Sequence, residues 1–407
     1  MSTMRPRDAI DTTAVREQNS HLTLELIWRE RQISRAEISR RTGLSPSTVS
    51  LIVTELEHSK LVRELGAGTS RGGRRPTLLG FCDDAYSLLG VDIGARHVAA
   101  VVTDLRGQVS AFAEAPHAMP DDPHGTLKHV KELAARCLQE ARVPKKSLVG
   151  VGVAVPSPVH EAQPGFISEL FFPAWRAVDV QAALAKAYGV PVFVDNDANM
   201  GALAERFWGK GQDAEELIYV KVGAGVGAGL ILSGELFRGS NGVSGEIGHI
   251  PIDPKGPLCV CGNRGCVTLY VGSDGLRKAA AERLPKNAPH TVAEIERRAR
   301  LGDPAALAVL DDVGAKLGSV VAGLLNLLNP KVVVLGGEIT TLGELFLEPL
   351  RKSVKTRALP HVYANAELAT SNLGPRAIAL GAATMVLQRA FRDHALFRAA
   401  AHGAPGS

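Results

Sequence analysis

Two distant stretches of this chain repeat one pattern, and the repeat limits the fold more than any other feature. In the first, an apolar strand over 87–93 ends in Asp92-Ile93-Gly94, and a second strand follows over 97–104. Leu105-Arg106-Gly107-Gln108 then turns into a third over 109–115. Apolar runs bounded by such turn residues read as antiparallel strands. In the second stretch, 217–222 and 227–232 form a hairpin dense in glycine. Between the two lie a helix over 125–142, a buried strand over 148–155, a helix over 180–188 and a strand over 190–194. That last strand runs into Asp195-Asn196-Asp197-Ala198-Asn199, where another helix begins. A late strand over 331–335 ends in Gly336-Gly337. Strands alternating with helices specify an α/β sheet. An opening theme that is restated specifies a duplicated, two-lobed one.

The 407 residues leave room for more than this body, since a domain takes roughly 100–200. The first 80 residues hold 13 Lys and Arg against 9 Asp and Glu, whereas the remaining chain holds 33 of each. The whole net charge of +4 therefore sits in the first fifth, as in a nucleic-acid-binding module joined to a neutral body. The longest apolar run, 222–232, is far shorter than the roughly 18 residues of a membrane span. No apolar segment follows the charged N-terminus, so no secretory signal is expected. Five cysteines do not make a disulfide scaffold, and the expected compartment is the reducing cytoplasm.

Residues 1–80 read as a winged helix-turn-helix. A helix over 19–31 places Leu22, Leu26 and Ile27 on one face. Ser34 and Glu37 form a capping box for a second helix, which Gly43 ends. Ser45-Pro46 restarts the chain as N-cap and first helical residue of a third helix running to about His58. Val49, Ile52, Val53 and Leu56 form its core face, and Ser39 and Val49 let the two helices close. Ser47, Thr48, Ser50 and Thr54 occupy the other face, with short polar side chains suited to phosphates and base edges. Strands over 61–65 and 77–81 enclose a glycine-rich loop carrying Arg71, Arg74 and Arg75. These arginines suit the negative potential of a minor groove. A small helical bundle used for protein contacts is the competing reading.

Three of the five cysteines crowd into Cys259-Val260-Cys261-Gly262-Asn263-Arg264-Gly265-Cys266, with His249 upstream. Three thiolates and one imidazole make a tetrahedral zinc set. Free thiols rarely cluster in glycine-rich sequence, and redox pairs usually have two residues between their cysteines. Cys82 and Cys137 are expected to be ordinary buried residues.

The body resembles the ROK family of repressors, open reading frames and kinases. The resemblance covers about residues 16–390 and rests chiefly on Glu246-Ile247-Gly248-His249 and the cysteine run. Asp195-Asn196-Asp197-Ala198-Asn199, the glycines 223, 225, 227 and 229, and Asn329-Pro330 with Gly336-Gly337 support it. The resemblance implies an actin-like ATPase (ribonuclease H-like) fold of two lobes, lobe I over about 85–197 plus 376–392 and lobe II over about 198–375. Together they make an effector domain over 81–407. It implies a structural zinc on His249, Cys259, Cys261 and Cys266, and sugar contacts from Asn196, Asp197, Glu246 and His249. Asp197 aligns with the general base of the kinases, although for a residue opening a helix the simpler role is an N-cap.

Three departures separate this chain from the kinases. The kinase loop Asp-x-Gly-Gly-Thr-Lys reads here as Asp92-Ile93-Gly94-Ala95-Arg96-His97, without the second glycine, the threonine or the lysine. Arg96 could attract phosphate but is bulkier and differently placed. The second loop, Gly-Thr-Gly-x-Gly-Gly-Gly, reads Gly223-Ala224-Gly225-Val226-Gly227-Ala228-Gly229. Thr268 stands where the family has a sugar-binding glutamate. Phosphoryl transfer depends on positioning and charge stabilisation. No catalytic residue is therefore expected, Asp197 being a vestigial candidate. The expected function is a DNA-binding transcriptional repressor controlled by a sugar-like effector, acting on a double-stranded operator as a homodimer or homotetramer. An active sugar kinase fused to a DNA-binding domain is the alternative, and a ligand-free scaffold controlled by a partner protein is a third.

Overall fold

A computed structural model describes residues 12–68, 75–160, 162–285 and 290–402. The chain opens with helix α1 (Thr12–Glu30), strand β1 (Ile33–Ser34), α2 (Arg35–Thr42), α3 (Pro46–His58), β2 (Val62–Ala67) and β3 (Thr77–Phe81). The caps are local and strong. The Ser34 Oγ accepts from the Glu37 amide at 3.2 Å. Gly43 takes φ 73° and donates its amide to the Ser39 carbonyl. The Ser45 Oγ accepts from the Thr48 amide at 3.1 Å ahead of Pro46. Ser39 donates its hydroxyl to the Leu44 carbonyl at 2.6 Å, which fixes the turn.

Three details differ from the sequence reading. Helix α1 starts earlier, and its buried side chains are Ser20, Thr23, Leu24 and Ile27, while Leu22 is exposed. The stripe at 20, 23, 24 and 27 is a helical face, and Leu22 lies off it. Strand β1 is too short to leave a periodic signal. It pairs antiparallel with β3 at the residue that caps α2, making the sheet order β1-β3-β2. Strand β2 starts at Val62 and extends to Ala67, with a bulge between Glu64 and Gly66, where φ is 105°.

The body continues with β4 (Ser87–Ile93), β5 (His97–Thr103), β6 (Val109–Pro116), α4 (Pro123–Glu140), β7 (Leu148–Val155), α5 (Val180–Tyr188), β8 (Val192–Asn196) and α6 (Asp197–Trp208). Strand β8 lies two residues later than its apolar run suggests, because it pairs in parallel with β7 as far as Asn196. The second half holds β9 (Leu217–Val222), β10 (Val226–Leu232), β11 (Glu235–Phe237), α7 (Thr268–Val271), α8 (Ser273–Arg283), α9 (Val292–Arg300) and α10 (Pro304–Leu328). It closes with β12 (Val332–Gly337), α11 (Glu344–Arg357), α12 (Pro360–Asn365), β13 (Glu367–Thr370), α13 (Ala377–Arg392) and α14 (Ala395–His402).

The two five-stranded sheets share one topology. Their orders are β6-β5-β4-β7-β8 and β11-β10-β9-β12-β13, so each places its third, second, first, fourth and fifth strands side by side. In each, the first three strands run antiparallel and the last two pair parallel. This is the duplicated ribonuclease H-like arrangement of the actin-like ATPase fold. Helix α13 lies against the first sheet at Gly90 and Gly152, where a Cβ would come within 1.9 Å of the Ala379 and Ala382 carbonyl oxygens.

The winged helix is welded to the body. One buried cluster runs from Leu24, Ile27, Val49 and Leu56 to Ala379, Val386, Phe391 and Phe397. Apolar burial contributes ~25 cal/mol per Å², so a cluster shared in this way resists separation of the two units. Cys137 is fully buried, but Cys82 is only half-buried, because it lies at the seam just beyond β3. Among the described residues, no helix is long and apolar enough to cross a membrane.

Candidate effector site and metal centre

The end of β8 is built by its own side chains. Asn196 caps α6, its Oδ1 accepting from the Ala198 amide at 2.9 Å and the Asn199 amide at 3.3 Å. Its Nδ2 donates to the Ser157 carbonyl at 3.1 Å. Asn196, not Asp197, is therefore the N-cap, and most of its hydrogen-bonding capacity is spent on the fold. Asp195 accepts from Asn199 Nδ2 at 2.9 Å and from Arg238 at 2.8 Å. The strand end is thus fixed on both sides before any ligand arrives.

Asp197 opens α6, is 5% exposed, and accepts from Lys221 Nζ on β9 at 2.6 Å. Lys221 escaped the sequence reading. A single lysine in an apolar strand carries no local signal, and only the pairing of the two halves brings it to Asp197. Burial works against its ammonium, but the carboxylates of Asp197 and Asp92 outweigh this and hold its pKa above the ordinary lysine value. Asp92, at the end of β4, is 1% exposed and bonded to His97 Nε2 at 3.0 Å. That bond, working against burial, raises the His97 pKa.

His97 also decides the state of the first loop. A Cβ on Gly94 would lie 2.2 Å from its ring, so the imidazole lies directly over the Gly94 backbone. Arg96 donates to Asp274 at the start of α8 at 2.8 Å.

Glu246 and His249 face the same region from the second half. His249 Nε2 lies 4.0 Å from a Glu246 oxygen. Burial, helped by the negative charge of Asp197, pushes the Glu246 carboxyl up to about 7. The ring of Phe171, from the loop between β7 and α5, lies 5.2 Å from that of His249. Asp197 and Glu246 are thus electrostatically linked, with Lys221 bonded to Asp197, His249 beside Glu246 and Phe171 beside His249. Asn196 adjoins them, its side chain committed to the cap. Thr268 opens α7 beside Gly225 of the glycine hairpin.

His249, Cys259, Cys261 and Cys266 bring one ligand atom each within 4.8 Å of one another. His249 Nδ1 lies 3.5 Å from Cys259 Sγ, and the Cys261 and Cys266 sulfurs are 3.6 Å apart. Tetrahedral coordination at a Zn–S distance of about 2.3 Å sets sulfurs about 3.8 Å apart, so the donors fit such an ion. The backbone makes this possible, because Gly262 and Gly265 take φ of 91° and 64°. The Cys259 amide donates to the Asn263 carbonyl at 2.7 Å, closing the knuckle. Burial lowers the His249 pKa, favouring the neutral imidazole that a metal requires. The cluster could hold a metal ion.

On α3 and beside the wing, Ser47, Ser50 and Thr54 are exposed and Thr48 is half-buried, while Arg75 is exposed just before β3. Arg71 and Arg74 lie outside the described residues.

Comparison with known proteins agrees with this architecture. Residues 88–389 match the ROK family, and residues 17–63 match a winged helix-turn-helix DNA-binding family. The xylose repressor of Bacillus subtilis is 34% identical over 382 residues, covering 93% of this chain and 97% of that protein. The N-acetylglucosamine repressor of Escherichia coli O157:H7 is 30% identical over 383 residues, covering 91% and 93%. The solved structure of a ROK family transcriptional regulator, a homologue of the E. coli MLC protein, superposes with a TM-score of 0.81 at 26% identity, covering 96% of this chain and all of that one. A ROK family glucokinase from Streptomyces griseus, in complex with glucose and AMPPNP, gives 0.66 at 30% identity over 74% of this chain and 99% of its own.

Proposed function

The chain belongs to the ROK family, and on that premise we propose that it is a DNA-binding transcriptional repressor governed by a sugar or sugar derivative bound between the lobes. The reading takes residues 1–80 as the DNA-binding unit and 81–407 as the effector domain, lobe I over about 85–197 plus 376–392 and lobe II over about 198–375. It places the protein in the cytoplasm as a dimer or tetramer, since two helix-turn-helix units are needed for two half-sites.

One observation carries it. Helix α6 begins at the Asn196–Asp197 cap and ends at Phe207 and Trp208, whose rings lie 6.1 Å from that of Trp28 on α1. Trp28 is held further by Arg106, stacked 4.6 Å above it, and by its indole bond to the Leu105 carbonyl at 3.1 Å. A ligand that displaces Asp197 therefore acts on the seat of the DNA-binding unit through one helix. The ligand must favour the released arrangement by on the order of 5 kcal/mol for near-complete switching.

In this reading Asp197, Glu246 and His249 meet the sugar hydroxyls and Asn196 sets their frame. His249, Cys259, Cys261 and Cys266 hold zinc. When bound, the zinc supplies cross-linking of the loop and no chemistry of its own. Glu246, three residues before His249, keeps its place because that loop is closed.

The working test is salt-dependent binding to operator DNA selected by the full-length protein. Ser47, Thr48, Ser50 and Thr54 face the major groove in this proposal, and Arg71, Arg74 and Arg75 act from the wing. Changing the three arginines to Ala weakens binding and flattens the salt slope by about 0.9 for each phosphate that is no longer neutralised. An unchanged slope removes the wing from the interface.

The proposal excludes efficient sugar phosphorylation. His97 lies over Gly94, Arg96 is paired with Asp274, and Asp197 is neutralised by Lys221. With hexoses, pentoses and amino sugars, ATP consumption stays far below the ~1 per second of working kinases. Turnover at that rate would return the protein to the enzymes.

A further inference from the structure

Helix α3 buries Val49, Ile52, Val53 and Leu56 and turns Ser47, Ser50, Leu51 and Thr54 outward. Leu51 is 56% exposed, the exposed large apolar side chain of this helix. It adds nothing to the buried face and stands among hydroxyls.

What surrounds it narrows what it meets. Residues 46–58 contain no Lys, Arg, Asn or Gln. The bidentate readers of guanine and adenine are therefore missing from the helix that would enter the major groove. Its two carboxylates are engaged elsewhere, Glu55 with Arg16 and Glu57 with Arg35. Ser50 donates to the Pro46 carbonyl at 2.8 Å, and Thr54 donates to the Ser50 carbonyl at 2.9 Å. Both hydroxyls spend their hydrogens on the helix and offer acceptor lone pairs outward. The remaining major-groove feature that such a face can recognise strongly is apolar, and it is the C5-methyl of thymine.

We infer that Leu51 is a specificity-determining residue that packs on a thymine methyl group in each operator half-site. The inference rests on the DNA-binding reading above and adds the base class that α3 selects. It assigns α3 an A·T pair at that position and leaves phosphate attraction to arginines outside the helix.

The experiment uses the full-length protein and an operator selected from a random double-stranded pool. Each thymine is replaced singly by deoxyuracil, which removes the methyl and leaves base pairing intact. At one thymine per half-site the wild type should bind about fourfold more weakly, the worth of one buried methyl-sized group. In Leu51→Ala that sensitivity should vanish while other base preferences and the zinc content persist. Uracil tolerated at every position overturns the inference, as does a sensitive thymine that remains sensitive in Leu51→Ala. If the wild type enriches no sequence from the pool, the DNA-binding reading falls, and this inference with it.

Discussion

Purified wild-type protein should carry one zinc ion per chain, and Cys261→Ser should carry none. Structural zinc is worth far more than an ordinary contact, ~10–16 kcal/mol in isolated finger peptides. Here the proposed metal would close one loop inside a larger lobe. The expected cost is therefore on the order of 4 kcal/mol, among the largest effects of a single substitution. At about 2.1 cal/mol/K of unfolding entropy per residue, Tm for a body of this size falls by roughly 6 °C. Elemental analysis and calorimetry on both proteins decide it. Wild-type protein free of zinc, or a variant that retains it, would sink the assignment. The local consequence should be as large. Gly262 and Gly265 take left-handed backbone to bring the sulfurs together, and without the ion only a few backbone hydrogen bonds, such as that from Cys259 to Asn263, hold the knuckle closed. The segment joining Glu246 to the cysteines should then become protease-sensitive first.

Lys221→Met is expected to destabilise the protein by about 3–5 kcal/mol, the usual result of removing one partner from a buried ion pair. It strands Asp197, and it removes the nearby cation from Asp92. Urea unfolding at fixed m-value reads the loss as a shift in midpoint. A second change, Asp197→Asn, should return much of it, because the remaining amide carries no charge. If the double variant is no more stable than Lys221→Met, the pair is not the source. The pH dependence has a definite sign. Burial raises the Asp197 carboxyl pKa, and removing the ammonium raises it further. A carboxyl with a higher pKa folded than unfolded binds more protons in the folded state. Its contribution to stability therefore falls as pH rises between the two values. The deficit of Lys221→Met should accordingly be larger at pH 7 than near pH 4.

What the sequence discloses about this fold follows the range of each interaction. Ser34, Gly43 and Ser45 act within four residues, and their caps are where the residue pattern puts them. His249 and the three cysteines are close in sequence and joined by glycines, so their convergence needs only local turns. His97 covers Gly94 from only three residues away, across the β4–β5 turn, but a lone histidine there gives no sign of which way its ring will fold. Lys221 is different. It is an isolated cation in a strand, and its role against Asp197 depends on how two sheets meet. The difference at α1 has the same origin. The apolar pattern assigns its face as if it had one neighbour, but it packs against both the winged-helix core and α13, so Leu24 is buried and Leu22 is not. Trp28, Phe207 and Trp208 are ordinary apolar residues in sequence, and two distant segments, α1 and α6, must fold before they meet.

Helix α6 has a consequence for how such a regulator changes over time. Its 12 residues span about 18 Å, so a tilt of about 5° at the cap moves the far end by about 1.6 Å. Shifts of 1–2 Å at packed interfaces are enough to switch bistable assemblies. In the proposed reading, the ligand's chemistry is read at one end of this lever, and only its movement is felt at the other. Substitutions that recast the sugar pocket leave the aromatic seat of Trp28 untouched. A lineage can therefore exchange one sugar for another without rebuilding the part that holds DNA, and can equally exchange operators without losing its response to the sugar.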